Sequence, residues 1–202
     1  NQEVKEALIK GAEKYDAGNH YFPSEVKLEL TQALLDSASD NMKYVNFNNG
    51  GGESIDAAVK FARRATGRQR VISVNGAFHG ATGISMEAGS PEMAEFFNMK
   101  PNPEVYTKVD YNNLEQLEDV LKNNDTACVL IESIPATFGF PIPSDDYLKG
   151  VEILSHKYGA MYIADEVQTG LMRSGSMWCA VGYGAKPDMI VTGKGLSGGY
   201  YP

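Results

Sequence analysis

Apolar positions recur along the chain first at helical and then at extended spacing, and the alternation predicts an α/β fold, a mostly parallel sheet with helices on both faces. Val4, Ala7, Leu8, Gly11, Ala12 and Tyr15 fit a first helix, and Val26, Leu30, Leu34, Leu35 and Ala38 a second, entered through Pro23 and a capping Ser24. Residues 44–47 read as a short strand that breaks at Gly50, Gly51 and Gly52. Ile55, Ala58, Val59 and Ala62 then mark a helix over 53–65, with Lys60, Arg63 and Arg64 on its polar side. Residues 70–74 predict the next strand, which runs into Gly76-Ala77-Phe78-His79-Gly80. Pro91, Pro101 and Pro103 predict irregular backbone over 90–112. A helix follows over 113–122. Residues 127–131 form a continuous apolar run of buried parallel-strand type, with Glu132 at its carboxyl end. Ser144 is the expected cap of a helix lined by Tyr147, Leu148, Val151 and Leu154 and closed near Gly159. Strands at 161–164 and 189–192 deliver Asp165-Glu166 and Gly193-Lys194-Gly195. With no internal repeat or interdomain linker, one layered domain is expected.

Composition narrows the function classes. The 202 residues include 18 basic and 26 acidic side chains, a net charge of −8, with no Lys/Arg cluster, which argues against nucleic acid as a partner. No run approaches the roughly 18 to 20 apolar residues that a bilayer core demands. Cys128 and Cys179 sit in apolar settings and read as free buried thiols, and with no secretory leader at the start a cytoplasmic location is expected. His20, His79 and His156 lie far apart without metal-ligand spacing, so no metal is expected. Trp178 reads as a packing residue, Asp145 and Asp146 as a solvated helix start, and Arg173 as a loop-ordering residue. The chain opens at Asn1 inside an amphipathic helix and stops just after a functional-looking loop, so a fold incomplete at both ends is expected.

Four features share one position, just past the carboxyl end of a predicted strand, where open α/β sheets bind ligands: the glycine turn 50–52, Phe78-His79, Asp165 with Gln168, and Lys194. Bare backbone N–H groups at a helix start suit a phosphate, although a glycine turn can also serve topology alone. The spacing matches neither G-x-G-x-x-G nor the P-loop pattern. Asp165 is a strand-end carboxylate that seeks a cationic partner, or a simple loop cap. Lys194, between two glycines, is an amine open to close approach, or an ordinary solvated lysine. Together they describe a site for a phosphorylated aromatic aldehyde: a helix start for the phosphate, a flat face at Phe78, a carboxylate for a ring nitrogen and a Schiff-base lysine. Pyridoxal 5′-phosphate is that molecule.

The sequence resembles the class III (ornithine/4-aminobutyrate type) aminotransferases of fold type I. The resemblance is carried by residues 47–60, Gly76-Ala77-Phe78-His79-Gly80, Ile131-Glu132, Ile163-Ala164-Asp165-Glu166-Val167-Gln168-Thr169-Gly170, Arg173-Ser174-Gly175, and residues 187–195. It implies a cofactor-binding large domain over 1–202, without the C-terminal small domain, acting on an amino donor and a 2-oxo acid acceptor. It further implies that Lys194 is the covalent attachment point and the base that moves the donor proton. Asp165 would keep the pyridine nitrogen protonated. Gly51 and Gly52 would hold the phosphate, Phe78 and Val167 would flank the ring, Gln168 would lie near the phenolic oxygen, and His79 would support the site. Glu132 is a candidate for substrate or cofactor-edge contact, or for a structural role. The resemblance also implies a homodimer, or a complementary polypeptide that supplies missing parts. Two departures stand out. Gly50-Gly51-Gly52 lacks a hydroxyl that the family commonly places at this turn, and Thr137 stands where many members carry a second glutamate. Decarboxylation, aminomutation or racemisation on the same cofactor is the alternative activity, and a split half inactive by itself is the non-enzymatic one.

Overall fold

The computed structural model describes residues 1–14, 24–123 and 125–200. Tyr15, His20, Pro23, Tyr201 and Pro202, on which parts of the sequence reading fall, lie outside the described residues. Among the described residues, five strands form one sheet: β1 (Arg70–Val74), β2 (Tyr106–Val109), β3 (Thr126–Glu132), β4 (Met161–Asp165) and β5 (Met189–Val191). Their order is β2-β1-β3-β4-β5 and every neighbouring pair is parallel. The helices are α1 (Gln2–Ala12), α2 (Glu25–Ser37), α3 (Gly51–Thr66), α4 (Gly83–Ala88), α5 (Pro91–Phe96), α6 (Leu114–Leu121), α7 (Tyr147–Lys157) and α8 (Cys179–Gly182).

A parallel sheet hides both faces, so its strands need apolar side chains on each. β3 meets that demand along its whole length, with all seven residues buried. Cys128 and Leu130 point to one layer, where Ile55, Ala58, Val59 and Ala62 of α3 pack. Val129 and Ile131 point to the other, against Leu117 and Leu121 of α6 and Leu148 and Val151 of α7. The predicted two-faced sheet is therefore present. α1 and α2 contribute no buried residue to either layer.

Three local expectations are corrected. Residues 44–47 are not a strand: they join no ladder, and Tyr44 is 94% exposed. Residues 90–112 are not irregular. Pro91 opens α5 at the one helical turn that has no need of its N–H, and β2 pairs with β1 from Val71↔Tyr106 to Val74↔Val109. The prolines hid a strand because Thr107 and Lys108 interrupt its apolar run. Ser144 does not cap α7. The cap is Asp146, two residues on, while the Ser144 carbonyl accepts from Tyr147 N at 3.0 Å in a preceding turn.

The strand order creates the site. The chain leaves β1 outward to β2, then returns past β1 to β3 and continues to β4 and β5, so the order reverses between β1 and β3. In open sheets the crevice outside the carboxyl ends at such a reversal is where ligands bind. β1 opens there into Phe78-His79 and β3 ends there in Glu132, while register pairing sets Glu132 beside Asp165 and Asp165 beside Val191.

Candidate active site

Beyond β1 the backbone turns at Gly76, whose φ of +76° favours glycine and whose missing side chain leaves room for Phe138; a Cβ there would lie 2.9 Å from that ring. The turn presents Phe78 outward, 37% exposed, and His79 inward, 3% exposed. His79 Nδ1 lies 2.8 Å from Asp165 Oδ2, with both side chains buried. The other carboxylate oxygen of Asp165 accepts from Val167 N at 3.1 Å. Glu132 closes the group by accepting from Phe78 N at 2.8 Å through Oε1. Burial pushes the Glu132 carboxyl above its ordinary value; His79 opposes that rise and the nearby Asp165 charge adds to it. Glu132, His79, Asp165 and the Phe78 backbone thus form one connected cluster at the reversal point. His79 Nε2 is buried without a hydrogen-bond partner.

A second part is built at the start of α3. Its cap, Gly50, is extended and makes no side-chain capping bond. Gly51 lies against Val167, where an added Cβ would meet Cγ1 at 3.1 Å. Gly80, at φ +125°, lies so close to Gly52 that a Cβ would come within 2.6 Å of its Cα. Thr82, just before α4, and Ser85, in its first turn, border Gly52, and Asp56 holds both, accepting from Thr82 Oγ1 at 2.8 Å and from Ser85 N at 2.7 Å. Asn49 N donates to Glu53 Oε2 at 3.0 Å and fixes the approach to the helix. Glycine here buys close packing of three segments around a helix start whose first turn no side chain caps, as an anion cradle requires.

The third part follows β5. Lys194 has φ +44°, a left-handed backbone uncommon for a side-chain-bearing residue, and opens a 3-10 turn over Lys194–Ser197. It is exposed and lines a cavity of ≈ 230 Å³ together with Glu166, Val167, Gln168, Arg173 and Gly193. A larger hollow of ≈ 690 Å³ lies between α2, residues 41–48 and β5, lined by Leu34, Phe47, Phe61, Trp178 and Ile190, and includes none of the predicted site residues. Of the predicted site residues, Val167, Gln168 and Lys194 line the smaller one.

The predicted residues therefore gather into connected parts. Val167 touches Gly51 and hydrogen-bonds Asp165, and it shares the cavity with Gln168 and Lys194. Thr137 Oγ1 donates to the Gly76 carbonyl at 2.6 Å, so this hydroxyl serves the turn before Phe78. Sequence reasoning did not single out Thr82, Ser85 or Glu166. The hydroxyls gave no periodic signal, and Glu166, read only as part of the motif that follows β4, is 1% exposed. Cys128 and Cys179 are free and buried. Among the described residues no group of three or more His, Cys, Asp or Glu side chains is placed to hold a metal ion, and no helix is long and apolar enough to cross a membrane.

A family model described as aminotransferase class-III matches residues 1–202. Among curated relatives, an uncharacterized aminotransferase of Archaeoglobus fulgidus is 40% identical over 99% of this chain and 46% of its own length. An acetylornithine aminotransferase of the same organism is 36% identical over 98% of this chain and 52% of its own. Among solved structures, taurine:2-oxoglutarate aminotransferase from Bifidobacterium kashiwanohense, described in complex with PLP and glutamate, superposes with a TM-score of 0.92 at 28% identity, over 100% of this chain and 50% of that one. The ornithine aminotransferase of Toxoplasma gondii ME49 gives a TM-score of 0.90 at 27% identity, over 100% and 49%. The chain spans about half the length of the curated relatives it matches.

Proposed function

The chain belongs to the class-III aminotransferase family, and from that premise we propose that residues 1–202 form the cofactor-binding part of a pyridoxal 5′-phosphate-dependent enzyme that moves an amino group between an amine or amino acid and a 2-oxo acid. The residues fit the cofactor. The uncapped start of α3 offers the N–H groups of Gly51 and Gly52 to the phosphate, in a cradle that a Cβ at either glycine would crowd. Phe78, exposed at the reversal point, supplies one flat face, and Val167, against Gly51, the other. The buried carboxylate of Asp165 suits a protonated ring nitrogen, and the partnerless His79 Nε2 behind it marks a polar centre. The observation that carries the reading is that Asp165 and Lys194 leave the carboxyl ends of neighbouring strands with Val167 and Gly51 packed beside them.

When bound, the cofactor supplies an aldehyde that condenses with amines and a ring that stores an electron pair. The chain's own residues do the rest. Lys194 Nζ would hold the aldehyde and, once a donor amine displaces it, would carry the proton from the donor carbon to the cofactor's former aldehyde carbon. Asp165 keeps the ring nitrogen charged, with His79 fixing one carboxylate oxygen and Val167 N the other. Gln168 faces the same cavity as Lys194 and is assigned to the phenolic oxygen. Glu132, which accepts from Phe78 N, is assigned to the substrate side. A homodimer, or a complementary polypeptide, completes the site, and the two free cysteines fit a cytoplasmic setting.

The experiment is a half-reaction. The full chain, loaded with pyridoxal 5′-phosphate and given an amino acid panel without acceptor, should release one equivalent of 2-oxo acid per bound cofactor from at least one donor. Carbon dioxide release or a racemised donor with no 2-oxo acid would overturn transamination in favour of the alternative chemistry.

A further inference from the structure

Glu166 is 1% exposed, and among the described residues no ion pair includes it. Four donors converge on it. Oε1 accepts from Ser133 Oγ at 2.6 Å and from Ala180 N at 2.7 Å; Oε2 accepts from Thr169 Oγ1 at 2.6 Å and from Cys179 N at 3.1 Å. Its main chain is held as firmly, since Glu166 N donates to Val191 O at 2.8 Å and Glu166 O accepts from Gly170 N at 2.9 Å.

A carboxylate buried without a cation is costly, and an apolar side chain of similar volume often serves stability at least as well. The donor set shows what the carboxylate provides. Two of the four donors are backbone N–H groups that cannot reverse, one on each oxygen. Only a group that accepts on both oxygens satisfies them, and a glutamine would turn an NH2 toward one N–H. The three anchored segments also frame the candidate site. Ser133 follows Glu132, Thr169 closes the turn that carries Val167 and Gln168, and Cys179 and Ala180 begin α8 behind that turn.

We propose that Glu166 is a positioning residue, a buried four-acceptor clamp that fixes residues 165–169 and so sets Asp165, Val167 and Gln168 for the cofactor. The proposal rests on the cofactor reading above. Because Asp165 and Glu166 are consecutive at a strand end, they point to opposite sides. Glu166 therefore acts on the site through the backbone while Asp165 meets the ligand. The 165–169 turn is rigid before any cofactor arrives.

The test compares Glu166→Gln, Thr169→Ala and Thr169→Ser with wild type in the full chain, by pyridoxal 5′-phosphate titration, by melting with and without the cofactor, and by amide hydrogen exchange without it. Glu166→Gln should raise the cofactor Kd by about tenfold or more, the loss expected for one bond to a charged acceptor. It should also shrink the rise in Tm that the cofactor confers and speed exchange over 165–171. Thr169→Ala should show the same changes in smaller measure, and Thr169→Ser should match wild type, which keeps the proposal testable if Glu166→Gln fails to fold. Equal falls in Tm with and without cofactor, at unchanged Kd and unchanged exchange, would overturn it. Wild type that binds no cofactor would defeat the cofactor reading instead, and exchange over 165–171 would still decide the clamp.

Discussion

Asp165 has a fixed neighbour on each oxygen, His79 on one and Val167 N on the other, so its charge is held in place while its orientation is not free to adjust. Replacing it by asparagine keeps size and shape but removes the charge that matches a ring cation. Asp165→Asn should retain the fold and lower kcat by roughly 10- to 100-fold, the equivalent of a charged hydrogen bond of about 1.5–3 kcal/mol; steady-state rates at saturating cofactor measure this, and an unchanged kcat would speak against the role. Glu132 supplies a second prediction. Burial raises its carboxyl in the folded state above the unfolded value near 4.5. Between those two values the folded chain holds a proton that the unfolded chain has lost, so stability falls as pH rises through that window. Denaturant midpoints measured across it should decline in wild type and stay level in Glu132→Gln.

Elements with strong periodicity were legible in the sequence and those with mixed faces were not. α3 and β3 carry unbroken apolar faces and lie where expected. β2 has only Tyr106 and Val109 buried, with Thr107 and Lys108 between them, and prolines at 101 and 103 hide its start. Residues 44–47 have strand composition without a strand partner, and pairing is a property of the sheet that no single segment encodes. At the site, His79, Asp165 and Lys194 were readable because each lies at or just past the carboxyl end of a strand, and Gly51 because a glycine run precedes the apolar face of α3. The buried Glu166 was not, since three of its four donors come from residues 13 to 33 positions away in sequence. The loop after β1 belongs to this scale as well: Gly80 combines φ +125° with a Cβ position 2.6 Å from the Gly52 backbone. Gly80→Ala should push the loop off the start of α3 and weaken binding of pyridoxal 5′-phosphate by at least about tenfold, alongside a stability cost on the order of 1–3 kcal/mol for the strained backbone. Isothermal titration and melting read the two effects, and tight binding retained in a stable Gly80→Ala chain would remove the phosphate cradle from the account.

Across the whole molecule, two apolar layers hold a parallel sheet whose strand order reverses between β1 and β3, and that reversal brings residues from four separate strand ends to one edge. Family membership and fold agree with that arrangement, while the amino donor varies among the relatives, whose names include acetylornithine, ornithine and taurine enzymes. The proposed activity requires an amine that captures the cofactor. Reduction of the cofactor-loaded full chain with borohydride, followed by intact mass and peptide mapping, tests it most directly. One pyridoxyl phosphate group should appear per chain, on the peptide containing Lys194, and be missing from Lys194→Ala. A chain that gains no such group, or gains it on a different lysine in wild type, would contradict the assignment.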